Sequence, residues 1–369
     1  MRKNIFVVGP SNSVLIRQRV DMLSSLDTEL YWYSQSDYKV EGIKTYHRLS
    51  SVRALGSLIE LFYVFFLLCW IRPAYVHVFF AKNRWLNCIL AIHPRLIVTV
   101  MGSDISDATV PAESVDFRLV KLLLNRASVI TSKSFYMDEI LKRFNVNDKK
   151  IYRITWGIDI DKFRLDLDCA PLKKQLNITP GVNVFFSLRG CRPLYQHEKV
   201  INAFARFLSV HPDSVLLVST MGAESNYLDQ LQQQAKVLEL GKKIHFLPEI
   251  SSDEMPYYYN LADAVVSVPI SDGMPQSIYE SMACGCFHVL GDLPQYYEII
   301  KAEENGVFVD LNDWNELEKA FSWVVENKNL IKLLGERNRE SIISLVDSFK
   351  QKEKLAELYQ CLDGNVVSG

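Results

Sequence analysis

The chain has 369 residues, of which 49% are apolar and 23% charged. That composition excludes a disordered protein, and the length exceeds what one hydrophobic core usually serves. The net charge of −2 gives no global reason to expect nucleic-acid binding, yet residues 1–155 hold 21 Lys and Arg against 13 Asp and Glu, and the remainder 20 against 30. A basic first half suits anionic lipid or an anionic substrate; chance clustering on solvated faces is the competing reading.

The N-terminus, "MRKNIFVVGP", has too short an apolar run for a signal peptide and reads as a first core strand at Asn4–Val8. Further strands are expected at Glu29–Tyr33, Tyr75–Phe80, Leu96–Met101, Ser128–Thr131 and Ile151–Thr155. Helical patterns at Leu15–Ser25, Leu55–Ile71, Val115–Asn125 and Ser134–Phe144 alternate with them. Leu55–Ile71, "LGSLIELFYVFFLLCWI", lies at the lower limit for spanning a bilayer and contains Glu60. The strand-like "AYVHVFF" follows, so the segment reads as a crossover helix over a sheet. A further reading lets its aromatic side dip into a membrane surface without crossing it.

Near "TWGIDIDKFR" the pattern pauses, and the stretch to Pro180 is polar and irregular. The alternation then restarts, with strands at Val182–Leu188, Val215–Val218, Ile244–Leu247, Ala264–Val268 and Phe287–Leu290. Helices at His197–Ser209, Asn226–Leu238, Glu254–Asn260 and Gln276–Cys284 separate them, and Leu330–Leu362 is helical. The expectation is an α/β protein of two doubly wound parallel-sheet domains, 1–155 and 156–345, with a C-terminal helix at 346–369 that could pack back on either domain, the first among them. Ligands belong at the C-terminal ends of the strands. The seven cysteines are scattered, with no CxxC pair and no Cys/His ligand spacing, so neither zinc nor a disulfide framework is indicated and a reduced cytoplasm fits.

"SDGMPQSIYESMACG", Ser271 to Gly285, raises the sharpest question, because Asp272 and Glu280 stand eight positions apart across a strand–loop–helix junction. Gly273 permits a sharp turn and close ligand approach, and Pro275 suits a helix start. The N–H groups from roughly Gln276 to Tyr279, with the helix dipole, suit a diphosphate. One carboxylate would then accept from a ribose diol and the other from hydroxyls beyond the phosphates. By spacing alone, a helix-start Asp and a solvated Glu explain the pair as well; the crevice position, with Gly and Pro beside it, favours a site.

This stretch, with "LGDLPQYYEII" and "NGVFV", resembles the donor-binding segment of retaining GT-B glycosyltransferases of the family-4 type, the group 1 glycosyl transferases. The resemblance runs from "GIDIDKF" to about residue 325 and touches the first half at "RLIVTVMGSDI". It implies a GT-B architecture, two Rossmann-like domains facing across a cleft. Glu280 would bind the ribose, and Asp272 the transferred sugar, helped by backbone groups of Gly273, Met274 and Pro275. The Gln276 helix start, including Ser277, would carry the diphosphate.

A basic pair on "SLRGCRPLYQHEK" would neutralise the leaving group: Arg189 matches the arginine, while Leu194 and Tyr195 fall where a lysine is expected. Arg192, His197 and Lys199 are the candidates to replace it, Arg192 first because a guanidinium grips phosphate oxygens in a fork. Asp272 stands where the usual acid is Glu, and Met101 where such enzymes often place a histidine. On the acceptor side the resemblance implies Gly9, Ser11, Asn12 and Ser13, with Arg17 or Arg19 reaching a phosphate, and Gly102, Ser103 and Asp104.

The implied reaction is retaining transfer from a nucleoside diphosphate sugar to an acceptor hydroxyl, in surface polysaccharide or lipid-linked glycan assembly, with no metal and no cofactor. Asp159–Asp161 and Asp166–Asp168 match an Asp-x-Asp metal signature but lie in the interdomain connection, as linker charges. The implied partners are the nucleotide sugar, a glycan or lipid-linked glycan, and an anionic membrane surface; no nucleic acid. The place is the cytoplasm, peripheral at the inner membrane face. A sugar-nucleotide epimerase, a non-catalytic nucleotide-sugar-binding homologue and a two-domain binding protein closing on a small ligand are the alternatives.

Overall fold

A computed structural model describes residues 3–26, 28–36, 38–49, 53–302 and 304–364, apart from the side chains of 53–56. The chain divides into two compact units, one formed by Met1–Gly157 with Phe349–Gly369, the other by Ile158–Ser348.

Among the described residues of the first unit, seven parallel strands form one sheet: β1 (Lys3–Val8), β2 (Thr28–Ser34), β3 (Lys44–His47), β4 (Tyr75–Phe79), β5 (Leu96–Thr99), β6 (Val129–Ser132) and β7 (Ile151–Arg153). They lie in the order β3-β2-β1-β4-β5-β6-β7. The direction of winding therefore reverses between β1 and β4, where Ile5 pairs with Tyr75 and Val8 with Val78. Strands covered on both faces are apolar along most of their length, and all five residues of β4 are buried, His77 with both ring nitrogens hydrogen-bonded. One face packs on Val64, Leu67 and Leu123, and the other on Ile16, Val20 and Leu355.

The second unit repeats the plan with β8 (Asn183–Ser187), β9 (Ser214–Ser219), β10 (Ile244–Leu247), β11 (Ala264–Ser267), β12 (Phe287–Gly291) and β13 (Gly306–Val309), ordered β10-β9-β8-β11-β12-β13 and parallel throughout. Its switch point lies between β8 and β11, and the loops after these two strands are where a doubly wound sheet holds ligands.

The sequence reading missed five strands and α-helices, one of them the Asn315–Glu326 helix. β3 is a half-exposed edge strand, and β13 is only four residues long, so neither gives a clear apolar run. The Leu86–Leu90 helix is a single turn or so, and the Ala170–Gln175 helix falls within the stretch read as irregular. The helical tail is broken at Asp347 into Lys328–Val346 and Ser348–Gly364. At the break the Ile158 N–H donates to the Val346 carbonyl (2.7 Å) and the Ser348 N–H to the Ile158 carbonyl (2.9 Å). From Phe349 onward the chain belongs to the first unit, where Tyr359 Oη meets His77 Nδ1 at 2.8 Å.

Candidate functional site

The two loops at the β8–β11 switch point are sewn together. Gln196 Nε2 donates to the Val268 carbonyl (2.8 Å), and the Ile270 N–H donates to Leu194 (2.9 Å). Arg189, two residues past β8, reaches across to Asp272: Nη1 donates to Oδ2 at 2.6 Å and Nη2 to Oδ1 at 3.3 Å. Tyr296, from the turn after β12, donates its hydroxyl to the same Oδ2 at 2.8 Å, and the Arg189 guanidinium lies over the Tyr195 ring at 4.6 Å. Both charged side chains are nearly buried, 10% and 11% exposed. Burial works against the Arg189 charge, but the Asp272 carboxylate together with the Tyr296 and Tyr195 phenols outweighs it and holds the guanidinium above its ordinary range.

Past this cluster the chain enters the Gln276–Ala283 helix, with Met274 fully buried as its anchor and Pro275 as its N-cap, which offers no side-chain oxygen to the first turn. Gly273 and Ser277 are half-buried around that start. The Ile278 N–H is taken by the Pro275 carbonyl at 3.2 Å, so the expected run of open N–H groups from Gln276 to Tyr279 is shortened. Glu280 sits a turn further on, facing Tyr259, whose hydroxyl lies 3.4 Å from Oε2. Burial raises the Glu280 carboxyl to about 7. The two acids of the motif therefore occupy different surroundings, Asp272 ion-paired and Glu280 desolvated beside a phenol.

Of the candidates for the missing cation, Arg192 is exposed on the β8 loop, its Nε 3.5 Å from the Gly222 carbonyl. His197 is a correction. It is fully buried, with Nδ1 2.8 Å from Ser187 Oγ and Nε2 3.0 Å from the Gly190 carbonyl, so it shapes the loop and burial lowers its pKa. Lys199 is another: its ammonium lies 5.1 Å over the Trp314 ring, and Trp314 packs in the layer on the sheet face opposite Met274 and Tyr296.

In the first unit, Gly9 follows β1 at the switch point, where a Cβ would come 3.0 Å from the Phe79 Cβ. Ser13 caps the next helix by accepting from the Ile16 N–H (3.5 Å), and the Asn12 N–H donates to Ser36 Oγ (3.3 Å). Ser11 is fully buried, bonded to Ser36 Oγ and the Tyr38 carbonyl, so its expected exposure to an acceptor is corrected. Arg17 bonds the Ser11 carbonyl and stacks over Tyr38, while Arg19 is buried against Thr155 and Trp156. After β5, Gly102 adopts φ 115° and Ser103 is exposed. Asp104 is also corrected: it is fully buried, with its oxygens accepting from the N–H groups of Ala81, Met101 and Gly102, so it ties two loops together. Asp159 accepts from the N–H groups of Asp161 and Lys162, a local turn. Among the described residues no three His, Cys, Asp or Glu side chains stand together as a metal-binding group.

The residues missed by sequence are Tyr296, Tyr259, Tyr195 and Gln196. "LPQYYEII" and "YYYNLADAVVS" contain two of them, but neighbouring tyrosines there look alike until the fold decides which reach an acid.

Residues 170–341 match the glycosyl transferases group 1 family, a span that holds Arg189, Asp272, Glu280 and Tyr296. The chain carries a group 1 glycosyltransferase domain. The chain is similar to the O-antigen chain mannosyltransferase RfbU of Salmonella typhimurium, 27% identical over 58% of this chain and 55% of that one. It is also similar to the UDP-Gal:alpha-D-GlcNAc-diphosphoundecaprenol alpha-1,3-galactosyltransferase of Escherichia coli, 22% identical over 59% and 56%. The chain spans about half the length of the curated relatives it matches. Among solved structures, HepE of Anabaena in complex with UDP superposes with a TM-score of 0.82, covering 98% of this chain and all of that one at 16% identity. The fold is GT-B.

Proposed function

We propose that this protein transfers a glycosyl group, with retention, from a nucleoside diphosphate sugar to a hydroxyl of a glycan or lipid-linked glycan in surface polysaccharide assembly. The observation that carries the reading is the buried Arg189–Asp272 pair at the β8–β11 switch point, directly before the Gln276–Ala283 helix start. A doubly wound sheet binds nucleotides there. The family match over residues 170–341, and relatives named for mannosyl and galactosyl transfer, support it.

In this reading Glu280 accepts the ribose hydroxyls, and the helix start faces the diphosphate. Arg189, with Arg192 on the same loop, opposes the negative charge that grows on the leaving group; such fixed charges stabilise it without a metal ion or cofactor. The sugar's anomeric carbon–phosphate oxygen bond breaks, and its bond to the acceptor oxygen forms on the same face. The departing phosphate oxygen takes the acceptor proton. Asp272 and the Gly273–Pro275 backbone hold the sugar. Uridine diphosphate sugars are the first donors to try, since the HepE structures hold UDP and UDP-glucose. The acceptor's place is at the inner face of the membrane.

The test is a thermal-shift screen against UDP-, GDP-, ADP- and CMP-sugars with Glu280→Ala alongside, then product analysis with acceptor in the presence of a chelator. A shift with one nucleotide class that Glu280→Ala loses, and an α-linked product from an α-linked donor, are expected. No shift in a folded protein would sink the reading. The Arg189 and Tyr296 bonds that engage Asp272 favour a second reading, a nucleotide-sugar binder without transfer; binding with no turnover would select it.

A further inference from the structure

The Arg53–Ile71 helix carries its polarity the wrong way round for a solvated surface. Val64, Leu67 and Ile71 are buried against the first unit's core. Glu60, the one charged residue between Leu58 and Ile71, also turns inward and is 7% exposed. Its Oε1 accepts from the hydroxyl of Tyr33 at 2.6 Å and from Gln35 Nε2 at 3.2 Å, and its Oε2 lies 3.5 Å from Arg48 Nε. The outward face is apolar: Leu58, Ile59, Phe62, Phe65, Phe66 and Trp70 are 41% to 74% exposed. At 1.5 Å per residue this stripe runs about 18 Å. Large contiguous apolar surface of this kind marks a place that meets something apolar.

Beside the helix opens a cavity of 410 Å³ whose lining includes Gln35, Arg48, Glu60, Lys82, Arg84 and Trp85. Three cations and one carboxylate face it, and Lys82 and Arg84 also lie 3.1 Å and 4.0 Å from Asp116. The Arg84 side chain is 76% exposed and Trp85 53%, and Arg72 is exposed at the helix end. Among the described residues no helix is long and apolar enough to cross a membrane.

We propose that this face docks on an anionic bilayer, with the Leu58–Trp70 stripe lying among the upper acyl chains. Arg72 and Arg84 meet headgroup phosphates, and the cavity edged by Arg48 and Lys82 takes one of them. An apolar stripe edged by cations and an interfacial tryptophan matches a lipid surface, apolar within and anionic at its rim. Between Leu58 and Ile71 the helix offers no outward acid to the arginines of a second copy. The inference deepens the proposed action on a lipid-linked acceptor and rests on that reading for its purpose, while the docking itself is independent of the donor site.

The test is flotation of the full-length protein with vesicles of phosphatidylcholine alone and of phosphatidylcholine with phosphatidylglycerol. The wild type is expected to float with the anionic vesicles. Substituting Phe62→Ser, Phe66→Ser and Trp70→Ser together should reduce binding at least about tenfold. Reversing Arg72→Glu and Arg84→Glu should remove the preference for phosphatidylglycerol, again on the order of tenfold. Because all five side chains are exposed, the variants should keep the thermal shift given by a nucleotide sugar, which reports folding and the donor site separately. Absence of flotation, or equal flotation by the triple variant, would overturn the proposal. So would a wild-type dimer in light scattering that the triple variant converts to monomer. Flotation without any nucleotide-sugar shift would instead leave docking standing and remove the transferase reading.

Discussion

Glu280 and Asp272 are both acids on one short segment, but their environments separate them. Glu280 is held near 7 from an ordinary 4.5 because burial penalises its charge, so it is mostly neutral below that pH and ionised above. A ribose diol donates hydrogen bonds and prefers the ionised form. Nucleotide affinity should therefore rise as pH passes upward through about 7, and titration calorimetry of Glu280→Gln should show a weak, flat profile. The stability of the unliganded protein moves oppositely. The folded state holds this proton more tightly than the unfolded chain, so its contribution is full below about 4.5 and is lost as pH rises through 7. By pH 8 the loss amounts to about 3 kcal/mol, which Glu280→Gln should recover in urea denaturation.

Asp272 is bound to its partners instead. Replacing Arg189 by Met leaves a nearly buried carboxylate unpaired and should cost about 3–5 kcal/mol in the same assay. Adding Asp272→Asn should return a large part of it, which an independent role for Arg189 would not allow. The two acids could be singled out from sequence by spacing; their pairing with Arg189, Tyr296 and Tyr259 could not, because those partners lie 83, 24 and 21 residues away.

The element that matters most is the Gln276–Ala283 helix, and it is pinned from its C-terminal side. Gly285 turns with φ 72°, where a Cβ would lie 2.1 Å from Leu165 Cδ2. Gly335, in the middle of the Lys328–Val346 helix, passes so near that its own Cβ would lie 2.0 Å from the Gly285 carbonyl oxygen. Gly335→Ala must push the two helices apart, and a loss of about 3 kcal/mol or more is expected in urea denaturation, with weaker nucleotide binding as the helix start moves. Gly42→Ala, at φ 76° with nothing within 4 Å, should cost only about 1 kcal/mol from backbone strain. The "ACG" turn was visible in the sequence as a run of small residues. That one of them faces a glycine fifty residues on was not, since Gly335 reads there as a weak spot in a helix.

At the scale of the molecule, the chain leaves the first unit at Gly157 and returns to it at Phe349. The returning helix buries Leu355, Leu358 and Tyr359 against Ile5, Tyr75 and Ile97. His77 joins Tyr359 to Thr99 at 2.8 Å and 2.7 Å. Truncation after Ser348 should therefore destabilise the first unit, although the whole second unit remains. With the intact chain, a nucleotide sugar at about 100 times its dissociation constant should raise the second unit's unfolding transition by about 2.7 kcal/mol. Calorimetry of both chains checks each expectation: a truncated protein whose first transition is unchanged would remove the role given to the final helix.

Alternating apolar runs and helical periods were enough to determine two doubly wound sheets, because a strand buried on both faces is apolar along most of its length and its crossover helix must cover it. In the segment Ser271–Gly285 the turn, the helix start and the two acids were likewise legible, since these are local properties of neighbouring residues. Only the tertiary structure decided what those residues touch: Asp272 against Arg189 and Tyr296, Asp104 and Ser11 withdrawn into loop ties, Lys199 turned to Trp314, and six apolar side chains of one helix left facing outward. Burial and ion pairing are set by contacts between distant parts of the chain, and a single sequence does not carry those distances.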